Sequence, residues 1–461
     1  MRRAMLAMVI ILLIASISAC GGNQDTTAEV DIAFIANPDR SLFYGETLTI
    51  ATADGGADPS PYQTPARQYM DENPGVTIEV ISLRTYVNDV NRFANKQNEV
   101  GVQLMAGSAP VLIDGRFVDH RDPRSAHFFA DWLPIMDATP SFDENDWFMN
   151  VFHASAVNGQ LLAFPMSFSY EMVAANSTVP GLSEALAAQD SITLSELIEL
   201  HRRISADTTF LFNPDFNANR IVALYLDSFL DIETGLVDFD NKQFIDLITY
   251  AREITSPDFR MQRGPRGWID PELEAYWSKK YFFSFADMYQ LFPRFEVGPL
   301  FTELTPLVNE RSELLVAPRS TYVLNANATP IEQALAWDFI QFVMNSDNQG
   351  GMMSMYSTNK PLFYQTAAWH SRRYVSIARE EFGWQLLTDT IDESAAEVTA
   401  QKVVRWDMPM AITRNLPFAI ENIIDEALEL FHNGLVSAEQ TAADLQNRVT
   451  LALMEMGISE Q

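Results

Sequence analysis

Beyond residue 46 the chain alternates short apolar runs with longer segments in which apolar residues recur every three or four positions. Thr47-Leu48-Thr49-Ile50-Ala51 reads as a buried strand that ends at Asp54-Gly55-Gly56. Residues 62 to 72 carry a helical pattern stopped by Asn73-Pro74-Gly75. Val76-Thr77-Ile78-Glu79-Val80-Ile81 is a second strand, 87–106 a second helix, and Ala109-Pro110-Val111-Leu112-Ile113-Asp114 a third strand with an acid at its carboxyl end. Three later helices announce their starts. Thr193 and Glu196, Thr329 and Glu332 (with Pro330 between them), and Ser437 and Gln440 each have the spacing of a capping box, where two backbone donors are satisfied reciprocally. Strands alternating with helices predict α/β layers around a mostly parallel sheet.

The first twenty residues follow another pattern. Arg2 and Arg3 precede an apolar stretch from 5 to 19, short for a membrane span and matching the core of an export signal. It ends in Ile17-Ser18-Ala19-Cys20-Gly21-Gly22, which resembles a bacterial lipobox. The resemblance implies a lipoprotein signal peptide over 1–19 and a lipid attached at Cys20. The acyl chains would hold the protein on the outer face of the bacterial cytoplasmic membrane. Residues 20–45 read as a tether, with Asp31-Ile32-Ala33-Phe34-Ile35-Ala36 as a possible strand within it.

Composition narrows the function classes. The 461 residues carry 61 acids against 31 Lys and Arg, a formal net charge of -30, with no basic cluster. Such a surface repels phosphate backbones, which excludes nucleic acid as a partner. Cys20 is the single cysteine, so neither a disulfide nor a cysteine-rich zinc site can form within one chain. None of the six histidines has metal-site spacing, and no nucleophile elbow or phosphate-cradling glycine loop occurs. No catalytic residue, cofactor or metal is expected. A carboxylate pair that meets only in the fold is invisible at this level, which keeps a lipid-anchored glycoside hydrolase among the alternatives.

Several segments in order resemble the extracellular solute-binding proteins of ABC importers, especially the sugar-binding group. They are 72–80, 106–114, Val157-Asn158-Gly159-Gln160-Leu161-Leu162-Ala163-Phe164-Pro165 followed by Asn176, 235–240, 334–342, and the terminal 438–446. Gln160 replaces the lysine common in that group, Ala175 stands where tyrosine is common, and Val111 where aspartate is. The resemblance implies a two-lobed periplasmic-binding-protein-like fold of type II, with a hinge of crossover strands near 167–176 and 319–325 and a ligand cleft between the lobes. Lobe one would hold 46–168 plus 322–370, and lobe two 169–321 plus 371–461. It also implies a monomer that binds a sugar or oligosaccharide by closure and delivers it to ABC permease subunits, with no enzymatic step.

Within that frame Asp54 and Asp114, at strand carboxyl ends, are candidate acceptors for ligand hydroxyls. Phe168 and Tyr170 sit at the expected first crossing. In the aromatic-rich stretch 268–301, Trp268, Trp277 and Tyr289 are the candidate stacking residues, since each has a polar edge besides its ring. A non-sugar solute such as a peptide or polyamine is the main alternative, favoured by the acidic surface. A sensory or adhesive surface protein is another.

Overall fold

The structure, a computed structural model, describes residues 31–458 apart from 53–62, 84–89, 177–178, 205–209, 213–217, 255–280, 289–300, 346–355, 364, 366–408 and 413–415. The first half of the fold begins with helix α1 (Ile32–Ala36), β1 (Thr47–Thr52), α2 (Gln63–Glu72), β2 (Thr77–Ser82), α3 (Val90–Met105) and β3 (Leu112–Asp114). Helices α4 (Trp132–Ala138) and α5 (Met149–Ser155) lead into the long strand β4 (Ala163–Asn176). Next come α6 (Leu182–Ala187), β5 (Ile192–Thr193), α7 (Leu194–Ile204), β6 (Phe210–Phe212), α8 (Ala218–Tyr225), β7 (Leu230–Asp231), β8 (Leu236–Val237), α9 (Lys242–Ile254), β9 (Tyr281–Met288) and β10 (Phe301–Val308). Strand β11 (Leu314–Leu324) returns to the first half. It is followed by α10 (Pro330–Met344), β12 (Tyr356–Ser357), β13 (Met410–Ile412), α11 (Phe418–His432) and α12 (Ala438–Glu455).

The two long strands define the architecture. At one end Tyr322, Val323 and Leu324 of β11 pair antiparallel with β3, which lies beside β1 and β2 in a parallel set. In the middle β11 pairs with β4, from Val323 opposite Ala163 to Ala317 opposite Ser169. At the other end β4 pairs with β9 and β10, and β11 with β13. A 14-residue strand is about 45 Å long, enough to run from one domain-sized body into another.

The cores divide along the same line. One group of buried residues joins Leu48, Ile50, Trp132, Trp337 and Phe339, and a smaller one on the opposite sheet face joins Ala51, Phe117 and Phe129. Two further groups are built from 173–251 with Leu307 and Leu315, and largely from α8, α9, α11 and α12. Strands β4 and β11 contribute to both sides. Phe164 and Met166 belong to the first set and Val173 and Ala175 to the second. Tyr322 belongs to the first and Leu315 to the second. The fold is therefore α/β and two-lobed, with crossover strands as the connection. Its sheet is mixed, because strands that cross and return must run antiparallel, while parallel pairing persists within each half.

The capping boxes are present at Thr329 and Ser437, and Thr193 exchanges the same pair of bonds with Glu196. The third strand is shorter than its apolar run: Val111 instead donates its N–H to Thr49 Oγ1 at 3.0 Å. The possible strand at 31–36 is a helix. Asp31 caps it by accepting from the Phe34 N–H at 3.1 Å, and Ile35 is fully buried against α4 and α10. Phe43, in the following 3-10 turn, is also buried. Part of the segment expected to be tether is thus a packed piece of the first half.

Candidate functional site

Where the halves approach each other, chain segments about 300 residues apart in sequence touch. Arg121 donates to the Leu416 carbonyl at 3.1 Å and reaches Glu421 at 3.5 Å. The Phe418 N–H donates to Asp119 Oδ2 at 2.8 Å. Helix α5 lies against β13 and β11. Between the halves is a cavity of about 440 Å³. The first half contributes Arg121, His153 and Asn158 to it, and the second Asp227, Glu233 and Arg311. This size and position suit a small polar ligand.

The second-half wall is tied together by charge. Arg311 pairs with Asp227 at 3.1 Å and with Glu313 at 3.0 Å, and Asn309 donates to both carboxylates at 3.1 and 2.6 Å. Burial still raises the Asp227 carboxyl above the usual range, with Arg311 opposing the shift. Glu233 and His153 are exposed on the wall. Among the described residues that line the cavity there is no Trp, Tyr or Phe.

A smaller cavity of about 130 Å³ opens beside the first and shares Arg121 with it. Its other polar lining comes from Arg116, His120, Ser155 and Thr321. Thr321 stands on the crossing strand β11, and Gly115 lies so close that a Cβ there would sit 2.4 Å from Thr321 Oγ1, which only glycine avoids. Ser320 takes a left-handed φ of 46°, an uncommon backbone state for a non-glycine residue, within this crossing strand.

Burial, aided by the Arg121 charge, pushes the His120 pKa down to about 3. The unfolded chain binds this proton near 6.5 and the folded chain does not, so the resulting stability is present above about pH 6.5 and is lost as pH falls toward 3. Linkage gives a loss of about 2 kcal/mol at pH 5 relative to pH 7. The denaturation midpoint of the wild type should therefore fall between pH 7 and pH 5, and His120→Gln should flatten part of that fall. Some slope will remain, because His432 is also pushed down, to about 4, and His201 is lowered.

Of the residues singled out in the sequence, Asp114, Phe168 and Tyr170 fall among the described residues. Asp114 ends β3, is buried, accepts from Arg116 Nη2 at 2.7 Å and caps the turn that follows. Phe168 and Tyr170 do stand on the first crossing strand, fully buried. Phe168 packs on Phe148 and Phe363 with centroids 5.3 and 6.3 Å apart. Asp54, Trp268, Trp277, Tyr289 and Cys20 lie outside the described residues. The opposite face of β4 is polar. Ser169 accepts from Arg319 Nε at 3.1 Å, and Glu171 holds Arg220 at 2.8 Å. Alternation along Ser167-Phe168-Ser169-Tyr170-Glu171 was the available signal for it. Nothing in sequence pointed to His120 or Arg121, whose surroundings come from residues 416–421.

No family model matches the chain, and no curated protein matches it. Among solved structures it is similar to maltose-bound MalE3 of T. maritima, at 13% identity and a TM-score of 0.55, over 88% of this chain and 100% of that one. It is similar to an extracellular solute-binding protein of Alicyclobacillus acidocaldarius at 11% identity and a TM-score of 0.55, over 88% and 98% of the two chains. The ABC substrate-binding protein Lmo0181 of Listeria monocytogenes, in complex with cycloalternan, matches at 12% identity and a TM-score of 0.52, over 90% and 100%. At such identities the likeness is one of fold, and it extends over nearly the whole length of each relative. The chain has the two-lobed, crossover-hinged fold of the extracellular solute-binding proteins.

Proposed function

We propose that this chain is an extracellular receptor that captures a sugar or oligosaccharide between its lobes and delivers it to an ABC permease. The observation that carries the reading is the polar cavity between two separately cored halves joined by β4 and β11. A ligand wedged there touches both halves and stabilises the closed arrangement by its differential contacts, with no bond made or broken. Carboxylates, amides and guanidinium groups on the walls suit hydroxyl-bearing molecules, which both donate and accept. The solved relatives with maltose and with cycloalternan support a carbohydrate over a peptide or polyamine. In this reading the mature protein is a monomer, held on the outer face of the cytoplasmic membrane by lipid on Cys20. Asp54, Asp114, Phe168 and Tyr170 serve the cleft and its hinge, and Trp268, Trp277 and Tyr289 supply the stacking surfaces.

A thermal-shift panel of neutral oligosaccharides, polyamines and short peptides tests this. At least one oligosaccharide should raise the melting temperature by an amount that grows with its concentration. It should be recovered unchanged. Trp268→Ala and Trp277→Ala should each weaken its binding tenfold or more. Stabilisation only by a polyamine or peptide would transfer the protein to the alternative class, and cleaved sugar would make it a hydrolase.

A further inference from the structure

Two polar atoms of residues lining the interlobe cavities, His120 Nδ1 and Arg121 Nε, and the adjoining Asp119 Oδ1 have no hydrogen-bond partner among the described residues. His120 and Arg121 both line the 130 Å³ pocket, and Arg121 also lines the larger cavity, so the two spaces share a wall. Leaving such groups unpaired is costly, since each gives up its bonds to water without replacing them. The burden falls at the junction of the halves, where Arg121 already spans to Leu416 and Glu421.

The chemistry of the two atoms narrows what would satisfy them. Arg121 Nε only donates. A neutral imidazole donates from one nitrogen and accepts at the other; burial keeps the His120 ring neutral at physiological pH, and the Val118 carbonyl accepts from the ring. A hydroxyl oxygen accepts from Arg121 and serves His120 in either tautomer, as acceptor or as donor. A carboxylate serves only one tautomer. The surrounding charges also disfavour an anion: Arg116 is paired with Asp114 at 2.7 Å, Arg121 lies 3.5 Å from Glu421, and the Asp119 carboxyl acts on Arg121 as well. Ser155 gives its own proton to the Val151 carbonyl, leaving its oxygen as a further acceptor.

We infer that His120 and Arg121 form a hydroxyl-reading subsite at the lobe junction, which receives a hydroxyl of a neutral sugar and thereby selects neutral over acidic carbohydrates. The inference rests on the receptor reading and adds to it two specificity residues and the charge class of the ligand.

The test uses the full chain with maltose, maltotriose and stachyose as neutral probes, digalacturonate as the acidic probe, and sulfate as the free anion. Binding is read by calorimetry for the wild type, His120→Leu, His120→Gln and Arg121→Lys. The wild type should bind a neutral probe more tightly than digalacturonate or sulfate. His120→Leu and Arg121→Lys should weaken the neutral probe at least tenfold, and His120→Gln, which keeps a donor and an acceptor, should weaken it less. If His120→Leu does not fold, Arg121→Lys and His120→Gln carry the comparison. A wild type that binds a neutral probe with no change in Arg121→Lys and the folded His120 variants overturns the subsite alone. Tighter binding of digalacturonate or sulfate overturns the preference for neutral hydroxyls. A wild type that binds none of the sugars overturns the receptor reading and the subsite with it.

Discussion

Trp337→Ala should destabilise the protein by about 3–5 kcal/mol, the range for emptying a fully buried large aromatic site. Trp337 is 0% exposed on α10. Its ring lies 5.8 Å from Trp132, 5.9 Å from Phe164 and 6.4 Å from Phe142, centroid to centroid. Its Nε1–H donates to Thr139 Oγ1 at 2.8 Å, and Thr139 in turn donates to the Ile135 carbonyl at 2.7 Å. Truncation therefore opens a cavity and removes Thr139's donor together. Phe164 belongs to β4, so the loss loosens the root of a crossing strand, and binding should weaken as well as stability. Trp337→Phe keeps most of the ring and loses the donor, so its loss should be smaller, about 1–2 kcal/mol. Chemical denaturation of the three proteins checks both values. Equal losses for Ala and Phe would show that the hydrogen bond, rather than packing, dominates.

Asp338→Ala should cost about 3 kcal/mol, from losing charge-assisted hydrogen bonds and leaving a buried hydroxyl unpaired. Asp338 accepts from the Tyr69 hydroxyl at 2.6 Å and from Arg40 Nη2 at 2.8 Å. Burial, with the Asp338 charge, pushes the Tyr69 pKa up, so the hydroxyl keeps its proton to donate. The Arg40 side chain is 66% exposed, and its ion pair contributes little, under about 1 kcal/mol. Asp338→Asn retains an acceptor for Tyr69 and should recover most of the stability. Hydrogen exchange adds a local reading: protection of 32–43 should fall in both variants, because Arg40 fastens that segment to α10. Unchanged protection there would mean that Ile35 and Phe43 alone hold the segment down.

Much of the first half was legible because its elements announce themselves locally. β1 and β2 are short β-branched runs with clean stops, and the helix starts at Thr193, Thr329 and Ser437 are set by bonds spanning three residues. Helix α1 was misread as a possible strand, though Asp31 as N-cap with Ile32, Ile35 and Ala36 at helical spacing contained the signal. The antiparallel return of β11 beside β3 and β4 was not readable from periodicity, since pairing direction depends on the path of the chain and not on any one segment. The expected crossings near 167–176 and 319–325 do fall on β4 and β11, but they came from likeness to a family rather than from the residues themselves. The junction of His120 and Arg121 with residues 416–421 lay beyond sequence reasoning. Polar residues in a turn look like solvated surface until a segment nearly 300 positions away covers them.

The central claim is that the two halves move together around a guest. Small-angle X-ray scattering of the protein alone, and with a saturating oligosaccharide that stabilises it thermally, addresses this directly. The radius of gyration should contract on binding, and it should not change with a sugar that leaves the melting temperature unmoved. A stabilising sugar that binds with an unaltered scattering profile would contradict the account, because the halves would then be a rigid pair and the guest would not act by bringing them together.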